Sequence, residues 1–145
     1  MKLIPFLSFA GQAREAMAFY ARALGGQVVS ELSYGAMPPM EDMDGCAGMP
    51  APDPTHIAHA QVEAGGAVLM GADAAGAAGG GGPAADATTI NVQVDSEEEA
   101  ERVFAALASG GQVQVPLMET FWARRWGCVL DRYGKSWMVN CMKPA

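Results

Sequence analysis

The sequence predicts an α+β fold made of two copies of one module, in which the order of elements is strand, helix, strand, strand, strand. The first observation is that two amphipathic helices both end at the letters GGQV, at Gly25–Val28 and at Gly110–Val113. The second is that the elements around both helices follow the same order, at a spacing of about 85 residues. A repeat of this length indicates a duplicated module. We therefore expect one domain over 1–145, with module one at 1–75, a Gly/Ala-rich linker at about 76–86 and module two at 87–145.

Module one begins with a β-rich run, Leu3–Phe9, and continues into a helix that Gly25-Gly26 ends, as glycine commonly does at a helix C-terminus. A strand then starts at Gln27. The stretch HIAHAQVEAGGAVLMGAD predicts two strands joined by a turn at Gly65-Gly66. The helix has apolar residues at the three-and-four spacing of one buried stripe, namely Ala16, Phe19, Tyr20, Ala23 and Leu24.

Module two repeats this order, beginning with the strand Thr88–Val94. Ser96 and Glu99 form a capping-box pattern at the start of the second helix, and Gly110-Gly111 ends it. The stretch RRWGCVLDRYGKSWMVN predicts the last two strands, with a turn near Tyr133-Gly134. The apolar stripe of the second helix consists of Ala100, Val103, Phe104 and Leu107.

Composition excludes several classes of partner. The formal net charge of −7 argues against a nucleic acid, because phosphate backbones are bound by basic surfaces. No apolar run reaches the roughly twenty residues that a membrane span needs, and the N-terminus does not resemble a signal peptide. The three cysteines are scattered and form no CxxC pair, so we expect neither a disulfide framework nor a thiolate zinc site. These features predict a cytoplasmic protein.

Three stretches resemble the PhnB-like family, sometimes labelled 3-demethylubiquinone methyltransferase-like, of the vicinal oxygen chelate superfamily of glyoxalases, bleomycin-resistance proteins and extradiol dioxygenases. They are LSFAGQAREAMAFYARALGG at 7–26, AHAQVEAGGAVLMGAD at 58–73 and ETFWARRWGCVLDRYGKSWMVN at 119–140. The resemblance implies a glyoxalase-like fold, in which two βαβββ modules form a curved, cup-like mixed sheet with helices on the outside. It also implies a homodimer and a small-molecule ligand. It names no reaction, and the chain has no methyl-donor motif.

The resemblance implies positions for a metal, because metal enzymes of the superfamily place a His or Glu on the first and last strand of each module. The matching residues here are Ser8, Met70, Asn91 and Met138, and this set does not suit an octahedral divalent metal. We therefore predict no metal and no other cofactor. One alternative is a glyoxalase-type lyase or dioxygenase with a shifted metal site that uses His59 and Glu119. Another is a binding and sequestration protein without catalysis.

Strand alternation predicts two polar rows. His59, Gln61 and Glu63 share one face of their strand, and Thr89, Asn91 and Gln93 share one face of another. Either the rows line a cleft or both face solvent. His59 is a candidate base, because its ordinary pKa lies near neutrality, and Glu119 resembles the acid of the family's ETFWA motif. The candidate ligand contacts on these strands are Ser8, Gln61, Asn91 and Gln93.

The segment METFWARRWGCVLDRYGKSWMVN holds all three tryptophans and four of the nine Lys and Arg residues. Trp122 and Trp126 flank Arg124 and Arg125, which predicts a wall for a small aromatic or anionic molecule. The alternative is that Trp122 lies at a subunit interface while the arginines pair with the acidic helix at 97–101. Two other residues of the segment are expected to be structural, with Asp131 bonding the backbone of its turn and Trp137 in the core.

Two segments lie outside the repeat. Met37–Thr55 is rich in Met, Pro and Gly and is expected to form an adaptable apolar surface, ordinary loop packing or a dimer contact. The span Gly71–Ala87 is expected to be a flexible linker rather than a phosphate loop, because it lacks the GK[ST] ending of a P-loop.

Overall fold

The computed structural model describes residues 2–38, 51–74 and 88–144. Most of the Met-rich loop and the whole predicted linker at 76–86 lie outside these ranges. The assignment of Gly71–Asp73 to the flexible span is wrong, because these residues belong to a strand, Ala67–Asp73, and pair with neighbouring strands. The predicted α+β class and the repeated order of elements are confirmed. The elements are β1 (Phe6–Phe9), α1 (Ala13–Ala23), β2 (Gln27–Ser33), a short 3₁₀ helix (Tyr34–Ala36), β3 (Ile57–Ala64), β4 (Ala67–Asp73), β5 (Thr89–Gln93), α2 (Glu97–Ala108), β6 (Gln112–Met118), β7 (Ala123–Leu130) and β8 (Ser136–Met142).

The chain divides into two compact units, Met1–Gly81 and Gly82–Ala145. The first unit holds a four-stranded sheet in the order β1-β4-β3-β2, with β1 parallel to β4 and the other neighbours antiparallel. Helix α1 covers one face of this sheet, where a Cβ added to Gly71 would lie 2.8 Å from the Met17 sulfur. The core between helix and sheet includes Leu7, Phe9, Met17, Tyr20, Ala60 and Val62.

The second unit repeats the arrangement, with strand order β5-β8-β7-β6 and β5 parallel to β8. Helix α2 covers the face on which Gly127 lies, since a Cβ at Gly127 would lie 2.7 Å from the Phe104 ring. The prediction that Trp137 belongs to the core is confirmed, because only 1% of its surface is exposed. In each unit we call the sheet face opposite the unit's own helix its distal face.

The repeated letters GGQV mark the same geometry in both modules. The first glycine of each pair has a left-handed backbone, with φ of 69° at Gly25 and 73° at Gly110. A Cβ on the second glycine would overlap a strand carbonyl, that of Glu63 for Gly26 and that of Leu130 for Gly111. Each pair therefore ends a helix and lets the chain pass close to the module's third strand.

Two buried aspartates tie distant parts of each module together. Asp73, at the end of β4, accepts hydrogen bonds from the backbone N–H groups of Gly11, Ala13 and Ile57 at 2.8–3.0 Å. Asp131 accepts from the N–H groups of Tyr133 and Lys135 and from the Trp137 indole. The structural role predicted for Asp131 is confirmed, whereas Asp73 was not predicted.

The first strand begins later than predicted, at Phe6 rather than Leu3. Leu3 is 92% exposed, and Pro5 has no N–H to give to a neighbouring strand, although its carbonyl accepts from Met70. None of the helices in the described ranges has the length and apolar character needed to cross a membrane.

Candidate functional site

The distal face of the second sheet brings several predicted ligand contacts together. Strands β5, β8 and β7 are neighbours, and paired residues on neighbouring strands point to the same face. Three residues from each strand form a grid of nine positions. Its three rows are Thr89–Ser136–Leu130, Asn91–Met138–Cys128 and Gln93–Asn140–Trp126.

The grid changes from polar to apolar across the sheet. Asn91 and Gln93 on the edge strand β5 are exposed, whereas Trp126 and Cys128 on β7 are half-buried. The Thr89 and Ser136 hydroxyl groups are hydrogen-bonded at 2.9 Å. Burial raises the pKa of the Cys128 thiol, so the thiol is uncharged near neutral pH. The grid thus offers hydrogen-bonding groups on one side and apolar surface on the other.

Asn140 lies on the central strand of this grid, between Gln93 and Trp126, and was not among the predicted site residues. It is only 9% exposed, and its side-chain oxygen has no hydrogen-bond partner among the described residues. Buried polar atoms are nearly always paired, so an unpaired oxygen between Gln93 and Trp126 indicates a place where another molecule can bond. The sequence contained one signal for it, because Trp137, Val139 and Cys141 alternate into the core and leave Asn140 on the other face.

An aromatic cluster extends the grid beyond Trp126. The rings of Trp122 and Trp126 meet edge to face at 5.7 Å, and those of Phe121 and Trp122 do so at 4.6 Å. Trp126 lies on β7, and Trp122 lies in the connection just before this strand. The turn that carries Trp122 is fixed by Thr120, whose N–H donates to the Ala123 carbonyl and whose hydroxyl accepts from the Ala123 N–H.

Arg124 and Arg125 were expected to form one wall with Trp122 and Trp126, but the structure does not place them in one wall. Arg125 pairs with Cys141 of the core, so it points to the α2 side while Trp126 points to the distal face. There its guanidinium forms ion pairs with Glu97 at 2.8 Å and with Glu101 at 3.3 Å. For Arg125, the structure therefore shows the pairing with the acidic helix that the alternative interpretation predicts.

Arg124 occupies an irregularity in the β7–β8 pairing, and its Nε donates to the Met142 carbonyl at 3.3 Å. Both arginines line a shallow surface cleft of about 350 Å³ beside the start of α2. The other residues that line this cleft are Asp95, Ser96, Glu97, Glu98 and Glu101. Since four of these five are acidic, the cleft does not form the anion-binding wall that the two guanidinium groups alone would suggest.

The remaining candidates of module one lie on the distal face of the first sheet. Gln61 pairs with Met70, which in turn pairs with Phe6, and alternation places Ser8 and His59 on the same side. His59 is half-buried, and its ring centroid lies 6.3 Å from that of Phe6. The polar row predicted on β3 is thus present, with Ala60 and Val62 packed on the opposite, helix-covered face.

Glu119, the second catalytic candidate, lies in the exposed connection between β6 and β7. Its carboxylate forms an ion pair with Lys143 at 2.7 Å. The hydrogen bond from Lys143 and then its charge lower the pKa of Glu119. An exposed carboxylate that is held ionised by a lysine is poorly suited to take up and release a proton near neutral pH.

The four positions that match the superfamily's metal ligands can be tested by their chemistry. Ser8 and Met70 lie on the distal face of the first sheet, while Asn91 and Met138 pair directly on that of the second. Two thioethers, a hydroxyl and an amide do not fit a divalent metal that prefers carboxylate and imidazole ligands. Within residues 2–38, 51–74 and 88–144, no group of three or more His, Cys, Asp or Glu side chains could hold a metal ion.

Comparison with known proteins identifies the family. The sequence model of the Glyoxalase/Bleomycin resistance protein/Dioxygenase superfamily matches residues 2–139. Protein YjdN of Escherichia coli (strain K12) is 38% identical over 146 residues, which cover 99% of this chain and 97% of that protein.

Two solved structures have the same fold over nearly the whole chain. Protein PA1353 from Pseudomonas aeruginosa has 38% identity and a TM-score of 0.79, with 99% of each chain covered. A PhnB protein from Bacillus cereus has 27% identity and a TM-score of 0.73, with 97% of this chain and 99% of that chain covered. The chain therefore belongs to the Glyoxalase/Bleomycin resistance protein/Dioxygenase superfamily and has its glyoxalase-like fold.

Proposed function

We propose that the protein binds a small organic molecule on the distal face of the second sheet, without a metal at the superfamily's usual position. One observation carries this proposal: the face combines the buried side-chain oxygen of Asn140, which has no hydrogen-bond partner among the described residues, with the half-buried ring of Trp126. Small-molecule sites typically have this composition, with mostly apolar walls and a few well-placed polar groups.

The exposed aromatic cluster next to the grid supports the proposal. Phe121 is 89% exposed and Trp122 is 38% exposed, although both are large apolar side chains. Aromatic rings gain binding energy by stacking or by edge-to-face contact in addition to the area they bury. A planar molecule seated against Trp126 would also cover part of Trp122, since the two rings are already in contact.

The experiment is a thermal-shift screen of small aromatic compounds, followed by titration of each hit against variants. Trp122→Ala should weaken a hit about tenfold, equivalent to about 1.4 kcal/mol, because a ring contact is lost. Its melting temperature should change little, since Trp122 lies outside the core. Phe6→Ala is the matched control, as Phe6 is an exposed aromatic residue of the first unit, and it should leave affinity unchanged.

Two results would contradict the binding proposal. One is that no compound stabilises the protein. The other is that Trp122→Ala unfolds the chain or dissociates a dimer while every hit binds as before, which would make the aromatic cluster an interface.

The metal-free part of the proposal has its own test. The donor set of Ser8, Met70, Asn91 and Met138 predicts that untagged, dialysed protein contains no stoichiometric Zn, Ni, Mn or Fe by elemental analysis. A metal content near one per chain that His59→Ala removes would instead support a glyoxalase-type lyase or dioxygenase with a shifted site. A homodimer and a cytoplasmic location stay predictions, which sedimentation and cell fractionation can test.

A further inference from the structure

The distal grid of the second sheet carries no charged residue. Its nine positions are occupied by Thr89, Asn91, Gln93, Ser136, Met138, Asn140, Leu130, Cys128 and Trp126, none of which is Asp, Glu, Lys, Arg or His. The one titratable group is the Cys128 thiol, and its pKa is raised by burial.

The charged side chains nearest this grid in the described part of the second unit contact other groups, and Arg124 lines the acidic cleft beside the start of α2 and donates to the Met142 carbonyl. Arg125 is held by Glu97 and Glu101 on the α2 side of the sheet. Glu119 and Lys143 form an ion pair with each other. The Asp131 carboxylate accepts hydrogen bonds from the backbone of its own turn and from the Trp137 indole. A charged ligand on the grid would therefore lose hydration without gaining an opposite charge, which is unfavourable.

The grid does offer a hydrogen-bond acceptor. The Asn140 side-chain oxygen is buried and unpaired among the described residues, and it lies between Gln93 and the ring of Trp126. An acceptor in this state gains most from an N–H or O–H donor, because an unmet buried polar atom is costly. A donor attached to a flat apolar group could bond Asn140 while the flat group rests on Trp126.

We infer that the ligand of this face is an uncharged aromatic molecule whose amide N–H or hydroxyl donates to Asn140. This inference rests on the proposed function. The sequence predicted an aromatic or anionic ligand, and the inference restricts the ligand to neutral aromatic molecules. Because the Asn140 oxygen is covered in the unliganded chain, a neighbouring side chain must move to admit the donor. Trp126 and Gln93 are its cross-strand neighbours, so binding should change the surroundings of the Trp126 indole.

Two probes of nearly equal size share the same aromatic ring but differ in charge and in the presence of an N–H donor. 2-Naphthamide is neutral and carries an N–H donor, whereas 2-naphthoate is ionised at pH 7 and carries none. The chain has three tryptophans, so their indole N–H signals can be followed by NMR and assigned with Trp→Phe variants. We expect the amide to shift the Trp126 signal and to bind at least about tenfold more tightly than the acid.

Asn140→Leu keeps the side-chain size and removes the acceptor. It should weaken the amide about fivefold or more and leave 2-methylnaphthalene, which has no donor, unchanged. Gln12→Leu removes an exposed amide of the first unit and should change neither. If Asn140→Leu does not fold, the amide-to-acid ratio and the Trp126 shift measured with the unaltered protein still decide whether this face prefers a neutral ligand.

Each other outcome has a definite meaning. If the acid shifts Trp126 and binds as tightly as the amide, the neutral-ligand inference is wrong while the binding proposal stands. If the amide binds Asn140→Leu as well as the unaltered protein, Asn140 is not the acceptor and the inference is wrong. If neither probe shifts Trp126, both the inference and the proposed site on this face are wrong.

Discussion

Asp131 fixes a turn and a core side chain with a single carboxylate. One oxygen accepts from two N–H groups of the β7–β8 turn, and the other accepts from the Trp137 indole at 2.8 Å. The sequence predicted the turn contact, because Asp commonly bonds the backbone just after it, and it predicted Trp137 as core. The bond between the two was not predictable, because alternation gives the face of a side chain but not its partner across a turn.

Asp131→Ala should lower the free energy of unfolding by about 3 kcal/mol, because three donors lose their acceptor and one of them is the buried indole. Urea unfolding followed by far-ultraviolet circular dichroism measures this loss. Asp53→Ala is the matched control, since the Asp53 carboxylate also bonds within a turn, to Thr55, but is exposed. Equal midpoints for the two variants would show that burial adds nothing to the role of Asp131.

Glu119 gives a pH-dependent prediction. The hydrogen bond and charge of Lys143 lower its pKa, so the pair stabilises the fold fully above the ordinary glutamate pKa and is lost as pH falls through the lowered value. In Lys143→Ala the carboxyl should titrate at higher pH than in the unaltered protein. Carbon-detected NMR of the Glu119 carboxyl measures both midpoints. An unchanged midpoint would mean that the ion pair does not persist in solution.

The backbone N–H groups at the starts of the two helices find their hydrogen-bond acceptors in different ways. For α2, the Ser96 hydroxyl accepts from the Glu99 N–H at 3.1 Å, as the capping-box pattern predicts. For α1, Gln12 makes no side-chain cap bond, and Asp73 accepts the Ala13 N–H from 60 residues away in sequence. A local pattern can show the first kind of cap but not the second, because the partner comes from a strand placed there only by the fold.

Ser96→Ala should therefore lower stability by about 1 kcal/mol, the usual effect of losing a helix N-cap. Gln12→Ala occupies the same position at α1 and should have little effect, because its side chain caps nothing. Thermal unfolding of both variants by circular dichroism compares them directly. A larger loss for Gln12→Ala would show that the α1 start depends on Gln12 rather than on Asp73.

Strand alternation accounts for the part of the candidate site that could be predicted from the sequence. It placed Asn91 and Gln93 on one face of β5 and Trp126 on β7, and the register brings them into one grid. It also puts Arg125 on the opposite face from its neighbour Trp126, a consequence that the grouping of two tryptophans with two arginines overlooked. That the Asn140 side-chain oxygen has no partner among the described residues depends on burial and hydrogen bonding, which no sequence pattern gives.

At the scale of the whole molecule, the duplication could be predicted because both modules have a Gly-Gly pair where the chain leaves the helix and passes close to a strand. Gly26 and Gly111 each lie so close to a strand carbonyl that a Cβ would overlap it. The curved, cup-like sheet was expected only from the family resemblance, because no local pattern in either module encodes it.

Gly26→Ala and Gly111→Ala should each destabilise the protein by about 1–3 kcal/mol, and by similar amounts, because each added methyl group must displace backbone. Gly65→Asn is the control, since nothing lies within 4 Å of a Cβ there and Asn tolerates its φ of 54°. Urea midpoints measure the three losses. Strongly unequal effects of the two alanine variants would show that the modules have lost their structural equivalence.

The two kinds of helix cap have a consequence for the order of folding. Ser96 lies three residues from the N–H that it caps, so this bond can form as soon as α2 nucleates, whereas the Asp73 bond requires closure of a long loop. We therefore expect Ser96→Ala mainly to slow folding and Asp73→Asn mainly to speed unfolding, as stopped-flow kinetics in urea would show. The reverse pattern would mean that module one forms the folding nucleus. One difference between the equivalent helix starts can thus make two similar modules fold one after the other. Module two, whose helix has the local Ser96 cap, is expected to fold first, and module one is expected to follow.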